Sequence, residues 1–137
     1  MHHVNQMLQT HPNREEGAAK GLEECILACL DCATSCVSCA DACVAESDVA
    51  MLRRCIRLNQ DCAAICRATA EVLTRTSEPD KALLRSLLET CAAACAACAT
   101  ECEKHAGHME HCRVCAEACR ECEAACRAVL QGNLAAA

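Results

Sequence analysis

Residues 25–43 read CILACLDCATSCVSCADAC, six cysteines separated by steps of 4, 3, 4, 3 and 4 residues. That alternation keeps returning to one side of an α-helix, and it is the spacing of the core-facing seam of a bundle helix. Cys25, Cys29, Cys32, Cys36, Cys39 and Cys43 thus hold positions normally given to leucine. The pattern recurs twice. CAAACAACATEC at 91–102 places Cys91, Cys95, Cys98 and Cys102 at steps of 4, 3 and 4. HCRVCAEACRECEAAC at 111–126 places Cys112, Cys115, Cys119, Cys122 and Cys126 at steps of 3, 4, 3 and 4. A sparser seam carries Cys55, Cys62 and Cys66, with Asn59 filling the place between the first two.

Local punctuation divides the chain around these seams. Val4, Met7, Leu8 and His11 fall at helical spacing and predict a short amphipathic helix ending before Pro12, in an N-terminal segment 1–12. Asn13 followed by Glu16 has the form of a capping box, opening a first long helix from Arg14 to about Glu46. Ser47 or Asp48 caps a second that runs to about Thr74. Ser77-Glu78-Pro79-Asp80 starts a third, with proline tolerated in the first turn, ending near His105. Gly107 interrupts, and a fourth runs from about His108 to Gln131, with Gly132 as its stop. Ala, Leu, Glu and Arg, strong helix formers, fill the interiors. Short connections make successive helices antiparallel. Residues 14–131 are therefore expected to form an antiparallel four-helix bundle, in an all-α chain whose residues 1–137 make one domain.

Composition narrows the function. Eighteen of the 137 residues are Cys, and none is Phe, Trp or Tyr. Thirteen Lys and Arg against nineteen Asp and Glu leave a formal charge of −6, which argues against a nucleic-acid or anionic-membrane surface. Residues 1–24 lack the basic region and apolar run of a secretory signal, and no segment is expected to approach the roughly 20 apolar residues of a membrane span. The chain reads as cytoplasmic, where thiols stay reduced and serve metals in preference to disulfides.

Cysteine can fill a core as a small hydrophobe, but alanine or valine would do so without the risk of oxidation. A disulfide framework is disfavoured because neighbours on one helix point the same way. Structural zinc takes four ligands in isolated knots and iron–sulfur clusters hang on loop-borne runs, whereas these ligands line a tube. Soft thiolates select Cu(I). Charge favours it too: uncompensated thiolates are very unfavourable in a dry core, and a monovalent cation cancels them one for one. The seam from Cys25 to Cys43 extends about 27 Å at roughly 1.5 Å per residue, room for a string of ions. Zinc, or a general thiolate metal buffer of the metallothionein-like detoxifying kind, is the alternative, and the absence of four-cysteine knots in the fold would count against it. An enzyme would need an acid, base or nucleophile set in a polar cleft, so no catalysis is expected. An electron carrier would need a coloured cluster, and an oxidant sink would form reversible disulfides.

CILACLDCATSCVSCADAC, DCAAIC at 61–66, CAAACAACATEC and HCRVCAEACRECEAAC together resemble the cytosolic copper storage proteins, over about residues 14 to 131. The resemblance implies a Cys-lined four-helix bundle that holds many Cu(I) ions, with all eighteen cysteines able to act as ligands. It also implies a homo-oligomer, a tetramer of bundles, and a mouth where His and other polar residues help copper enter. A copper chaperone or a small thiol is then the delivery partner.

The residues distinguish two ends of the tube. Antiparallel packing places the turn between the first two long helices beside the turn between the last two. That end holds His105, three residues beyond Cys102 on its seam, and His108 and Met109, four and three residues before Cys112. His111 is one position off the seam, and Cys43, Met51 and Cys55 lie at the same end. These His and Met side chains are the candidate entry ligands. Asn59 and Asp61 add polar candidates, Asn59 the better placed and Asp61 expected to face solvent. At the other end the seams run into Leu22, Val72, Leu73, Leu84, Leu87, Leu88, Val129 and Leu130, an aliphatic plug. His2, His3 and His11 receive no role. Away from the cysteines, Leu30, Val37 and Val44, and Met51, Leu58, Ile65 and Val72, repeat every seven residues. Where such a stripe stays exposed it marks an interface between copies.

Overall fold

A computed structural model describes residues 2–13 and 21–132. Helix α1 spans His2–Gln9, α2 Leu22–Ala45, α3 Arg53–Thr74, α4 Lys81–Glu103 and α5 Glu110–Gln131, and a 3₁₀ turn at Val49–Leu52 leads into α3. No strand occurs among the described residues. Helix α2 packs beside α3 and α5, and α4 beside the same two, so α2 lies diagonal to α4 and α3 to α5. This is the expected antiparallel four-helix bundle with a short extra N-terminal helix.

The helix ends depart from the expected punctuation in instructive ways. Glu16, and with it the expected capping box, lies outside the described residues, as does the start at Arg14. Asn13 reaches elsewhere: its Nδ2 donates to Ser77 Oγ at 3.2 Å, fastening the N-terminal segment to the α3–α4 connection. Helix α2 opens from Gly21, whose φ of 83° belongs to the left-handed region that glycine enters without strain. Asp48 makes no side-chain capping bond, and the chain enters α3 through the 3₁₀ turn. Asp80 is the N-cap of α4, its Oδ1 accepting from the Leu83 N–H at 3.0 Å, so Pro79 stands ahead of the cap and not in the first turn. Helix α4 stops at Glu103, short of His105, and α5 begins at Glu110, past His108. Between them the His105 carbonyl accepts from the N–H groups of His108 and Met109, at 3.1 and 3.0 Å.

All eighteen cysteines are free and buried. Small residues beside the seams, among them Ala33, Ala63, Ala70, Ala92 and Ala99, are also buried and let the helices approach closely. At the end formed by the N-termini of α2 and α4, Ile26, Leu73, Leu88 and Val129 are buried, and Leu22, Leu84 and Leu130 pack against them. Val4 and Leu8 of α1 pack on the core, whereas Met7 faces out. Val37, Val44 and Met51 are exposed, while Leu30, Leu58 and Ile65 are partly buried against the core.

One expectation is corrected. Leu22–Ala45 and Lys81–Glu103 are long and apolar enough to cross a membrane, with mean hydropathies of 1.5 and 1.4 over their most apolar windows. Their apolarity comes largely from Cys and Ala, and in the bundle the cysteine seams of both helices face inward, away from any surface.

Candidate metal centre

The seams of α2, α3, α4 and α5 converge on one axis, and there the sulfurs touch. Contacts join adjacent helices, as in Cys66–Cys95 at 3.6 Å and Cys32–Cys119 at 3.7 Å. They also span the diagonal, as in Cys29–Cys91 at 4.0 Å, Cys36–Cys98 at 4.0 Å and Cys66–Cys122 at 3.9 Å. The axis is a close-packed column of sulfur, since two atoms on opposite helices meet across it.

Along this column the thiols gather in quartets whose ligand atoms all lie within 4.8 Å of one another. Cys29, Cys91, Cys122 and Cys126 form one near the plug. Cys32, Cys66, Cys95 and Cys122 form the next, then Cys32, Cys36, Cys62 and Cys119, then Cys36, Cys98, Cys115 and Cys119. Each quartet shares at least one sulfur with the one before it: Cys122, then Cys32, then Cys36 with Cys119. Four-cysteine groups are therefore present, so their expected absence does not separate copper from zinc. The sharing links the quartets into one string, in which a sulfur serves two ions by bridging them, and what separates the two metals is charge. Zinc held by four thiolates keeps two negative charges, which a dry core penalises heavily.

Asn59 is fully buried and stands between the last of these quartets and the mouth. Its Oδ1 accepts from the thiols of Cys98 at 3.2 Å and Cys115 at 3.0 Å. Its Nδ2 donates to the Cys55 carbonyl at 2.8 Å and lies 3.4 Å from the Cys55 sulfur and 3.7 Å from that of Cys102. One amide thus touches four thiols. Beyond it, Cys39, Cys43, Cys112 and His111 make a mixed sulfur–nitrogen group, with Cys43 and Cys55 at 3.9 Å and Cys55 and Cys102 at 3.7 Å.

The candidate entry residues separate here. His111 Nδ1 lies 3.4 Å from the Cys39 sulfur and 3.7 Å from that of Cys112, and its Nε2 meets Glu46 Oε2 at 2.8 Å. His105, aligned with the seam of Cys102 in the sequence, is buried but turns to Glu101, Nε2 to Oε2 at 3.2 Å. His108 is exposed, and Met109 is half-buried against the core. Asp61 is exposed, as expected, and so is Met51. Three residues at the two ends of the column were given no functional role by the sequence reading. Glu46 follows Cys43 by three residues, and Thr69 follows Cys66 by three, so both continue their seams by the same alternation. Thr69 is fully buried near the plug, its hydroxyl returned to the Ile65 carbonyl at 2.7 Å. Leu52, fully buried in the 3₁₀ turn at the mouth end, precedes Cys55 by three residues and so extends the α3 seam at its other end.

Burial pushes the Cys43 thiol up to about 12 from its ordinary 9.0, helped by the charge of neighbouring Cys55. The Cys112 thiol goes up to about 11, through burial first and Cys55 second. A thiol that ionises less readily folded than unfolded contributes stability that is complete below the unfolded value and disappears as pH rises through the folded one. The contribution of these two thiols to the denaturant midpoint of the metal-free bundle should therefore stay level up to about pH 9 and be lost by pH 11 to 12, so that the midpoint falls over that upper range. A urea series across that range checks it, and a midpoint that rises there contradicts it. The same protonated thiols mean that each bound metal must displace protons.

The family model for copper storage proteins matches residues 18–131 of the chain. No curated protein sequence matches it. Among solved structures, the chain is similar to the copper storage protein of Streptomyces lividans loaded with 10 copper equivalents, at 50% identity and a TM-score of 0.90, covering 94% of this chain and 98% of that one. A cytosolic copper storage protein from Streptomyces lividans, with five coppers, matches at 53% identity and a TM-score of 0.82, over 83% and 95% of the two chains. Copper storage protein 3 of Bacillus subtilis, in its apo structure, matches at 37% identity and a TM-score of 0.69, over 78% and 96%. A column of linked thiol quartets inside a four-helix bundle and a family match across the whole bundle lead to one conclusion: this chain belongs to the copper storage protein family.

Proposed function

We propose that the chain is a high-capacity Cu(I) store of the cytoplasm, one domain that sequesters copper without catalysing a reaction. The observation that carries this reading is the shared sulfurs: quartets joined through Cys122, Cys32, Cys36 and Cys119 offer a continuous string of sites where an isolated site would need four thiols to itself. Low-coordinate Cu(I) can sit between neighbouring thiolates and leave the column near neutral. All eighteen cysteines serve as ligands in this reading. His111, with Cys39, Cys43 and Cys112, takes the first copper at the mouth, with His105, His108 and Met109 on the approach, and Asn59 passes it inward. The chain works as a homo-oligomer, a tetramer in keeping with its family, with the exposed Val37, Val44 and Met51 available for contacts between copies. A copper chaperone or small thiol delivers the metal.

Competition between metals tests the choice of copper over zinc. The reduced chain, loaded first with Zn(II), should release all of it when Cu(I) is supplied from a chelator buffer. Zinc retained against Cu(I), at about four ions per chain in tetrahedral sites, would establish a zinc buffer instead.

A further inference from the structure

We propose that Glu46 is a positioning residue for His111, holding the imidazole in the tautomer protonated at Nε2 so that the Nδ1 lone pair stays aimed at the mouth sulfurs. The inference rests on the reading of His111 as a mouth ligand. An ionised carboxylate accepts hydrogen bonds and donates none, so the 2.8 Å contact between Glu46 Oε2 and His111 Nε2 requires the proton on Nε2. In the neutral ring Nδ1 is then the free acceptor, 3.4 Å from the Cys39 sulfur and 3.7 Å from that of Cys112. Without the carboxylate, the ring can place its proton on Nδ1 and donate to sulfur, which blocks the nitrogen that faces the metal.

Glu46 is built for the task. It is the C-cap of α2, and its own N–H is bonded to the Cys43 carbonyl at 3.2 Å. Its place three residues after Cys43 sets it at the rim of the same seam. The described residues give it no ion pair other than His111. The second carboxylate–imidazole pair at this end differs on both counts. Glu101 already faces Lys104 at 3.3 Å and Arg54 at 3.9 Å, and among the described residues its partner His105 bonds to Glu101 and to no sulfur. Carboxylates that orient a metal-binding histidine in this way typically change metal binding by about ten- to a hundredfold when removed.

Two measurements on the full, reduced chain test the proposal: the His111 tautomer from long-range ¹H–¹⁵N spectra of the metal-free protein, and the initial rate of Cu(I) uptake from a chelator complex. The native chain should show the Nε2–H form. Glu46→Gln, whose amide carbonyl can still accept, should largely keep it. Glu46→Ala should shift the ring toward the Nδ1–H form and slow uptake about tenfold, to the level of His111→Ala. The double variant should be no slower than His111→Ala alone. Circular dichroism verifies that each variant is folded. Normal uptake by His111→Ala would remove the mouth reading itself. Slow uptake by His111→Ala, with native tautomer and native uptake in Glu46→Ala, would overturn the positioning role. A further loss when Glu46→Ala is added to His111→Ala would overturn it as well, because Glu46 would then be acting on copper directly.

Discussion

Titrated with Cu(I) under anaerobic conditions, the fully reduced chain should take up about one copper per thiol, on the order of eighteen, before a coloured Cu(I) chelator gains any. The argument is one of charge and connectivity. Each Cu(I) replaces one thiol proton, so the buried column stays close to neutral as it fills. Each of the four thiol quartets shares a sulfur with a neighbour, so filling one leaves sulfurs already half committed to the next. Single substitutions should reveal that sharing. Cys36→Ala and Cys119→Ala each touch two quartets and should lose more than one copper, whereas Cys25→Ala, next to the plug, should lose no more than one. Saturation at one to four coppers would mean a small discrete site with most cysteines structural, and storage along the column would be refuted.

Copper loading should raise the melting temperature by more than about 20 °C. A ligand present at a hundred times its dissociation constant adds about 2.7 kcal/mol for each site found only in the folded state. Four such sites already match the whole stability of an ordinary domain, about 5–15 kcal/mol. The metal-free chain should still fold, because its helices are rich in Ala and Leu and its thiols are packed and buried without metal. Scanning calorimetry of the empty and the loaded chain, with far-ultraviolet circular dichroism of the empty one, checks both statements. A loaded chain that melts within a few degrees of the empty one would place the copper outside the core, and a metal-free chain without helix would show that metal drives folding.

The bundle was legible because a period near 3.5, written in one residue type, leaves little ambiguity about which face of each helix turns inward. Even Asn59, the one interruption in the short α3 seam, could be placed by counting. Legibility ended where the helices end. His105 sits three residues past Cys102, but α4 stops at Glu103, so helical register no longer carries that side chain to the column and it turns back to Glu101. His111 lies one position off the seam, yet it stands in the first turn of α5, where the column opens and a ring can lean across to Cys39. The link to Glu46 joins residues 65 apart, and only the antiparallel fold brings them together. The 3₁₀ turn before α3 was equally hidden, since Ser47 and Asp48 carry the composition of a helix cap without making its bond.

A core of thiols, alanine and a few aliphatic side chains, in a chain with no Trp, Tyr or Phe, also fixes how the molecule meets light. Empty, reduced and without a single benzenoid or indole ring, it is almost transparent in the near ultraviolet. Any band that grows there on loading belongs to charge transfer between sulfur and metal. The store therefore carries its own optical gauge, read against a dark background, and each copper that enters the column registers as ultraviolet absorbance the protein itself cannot supply.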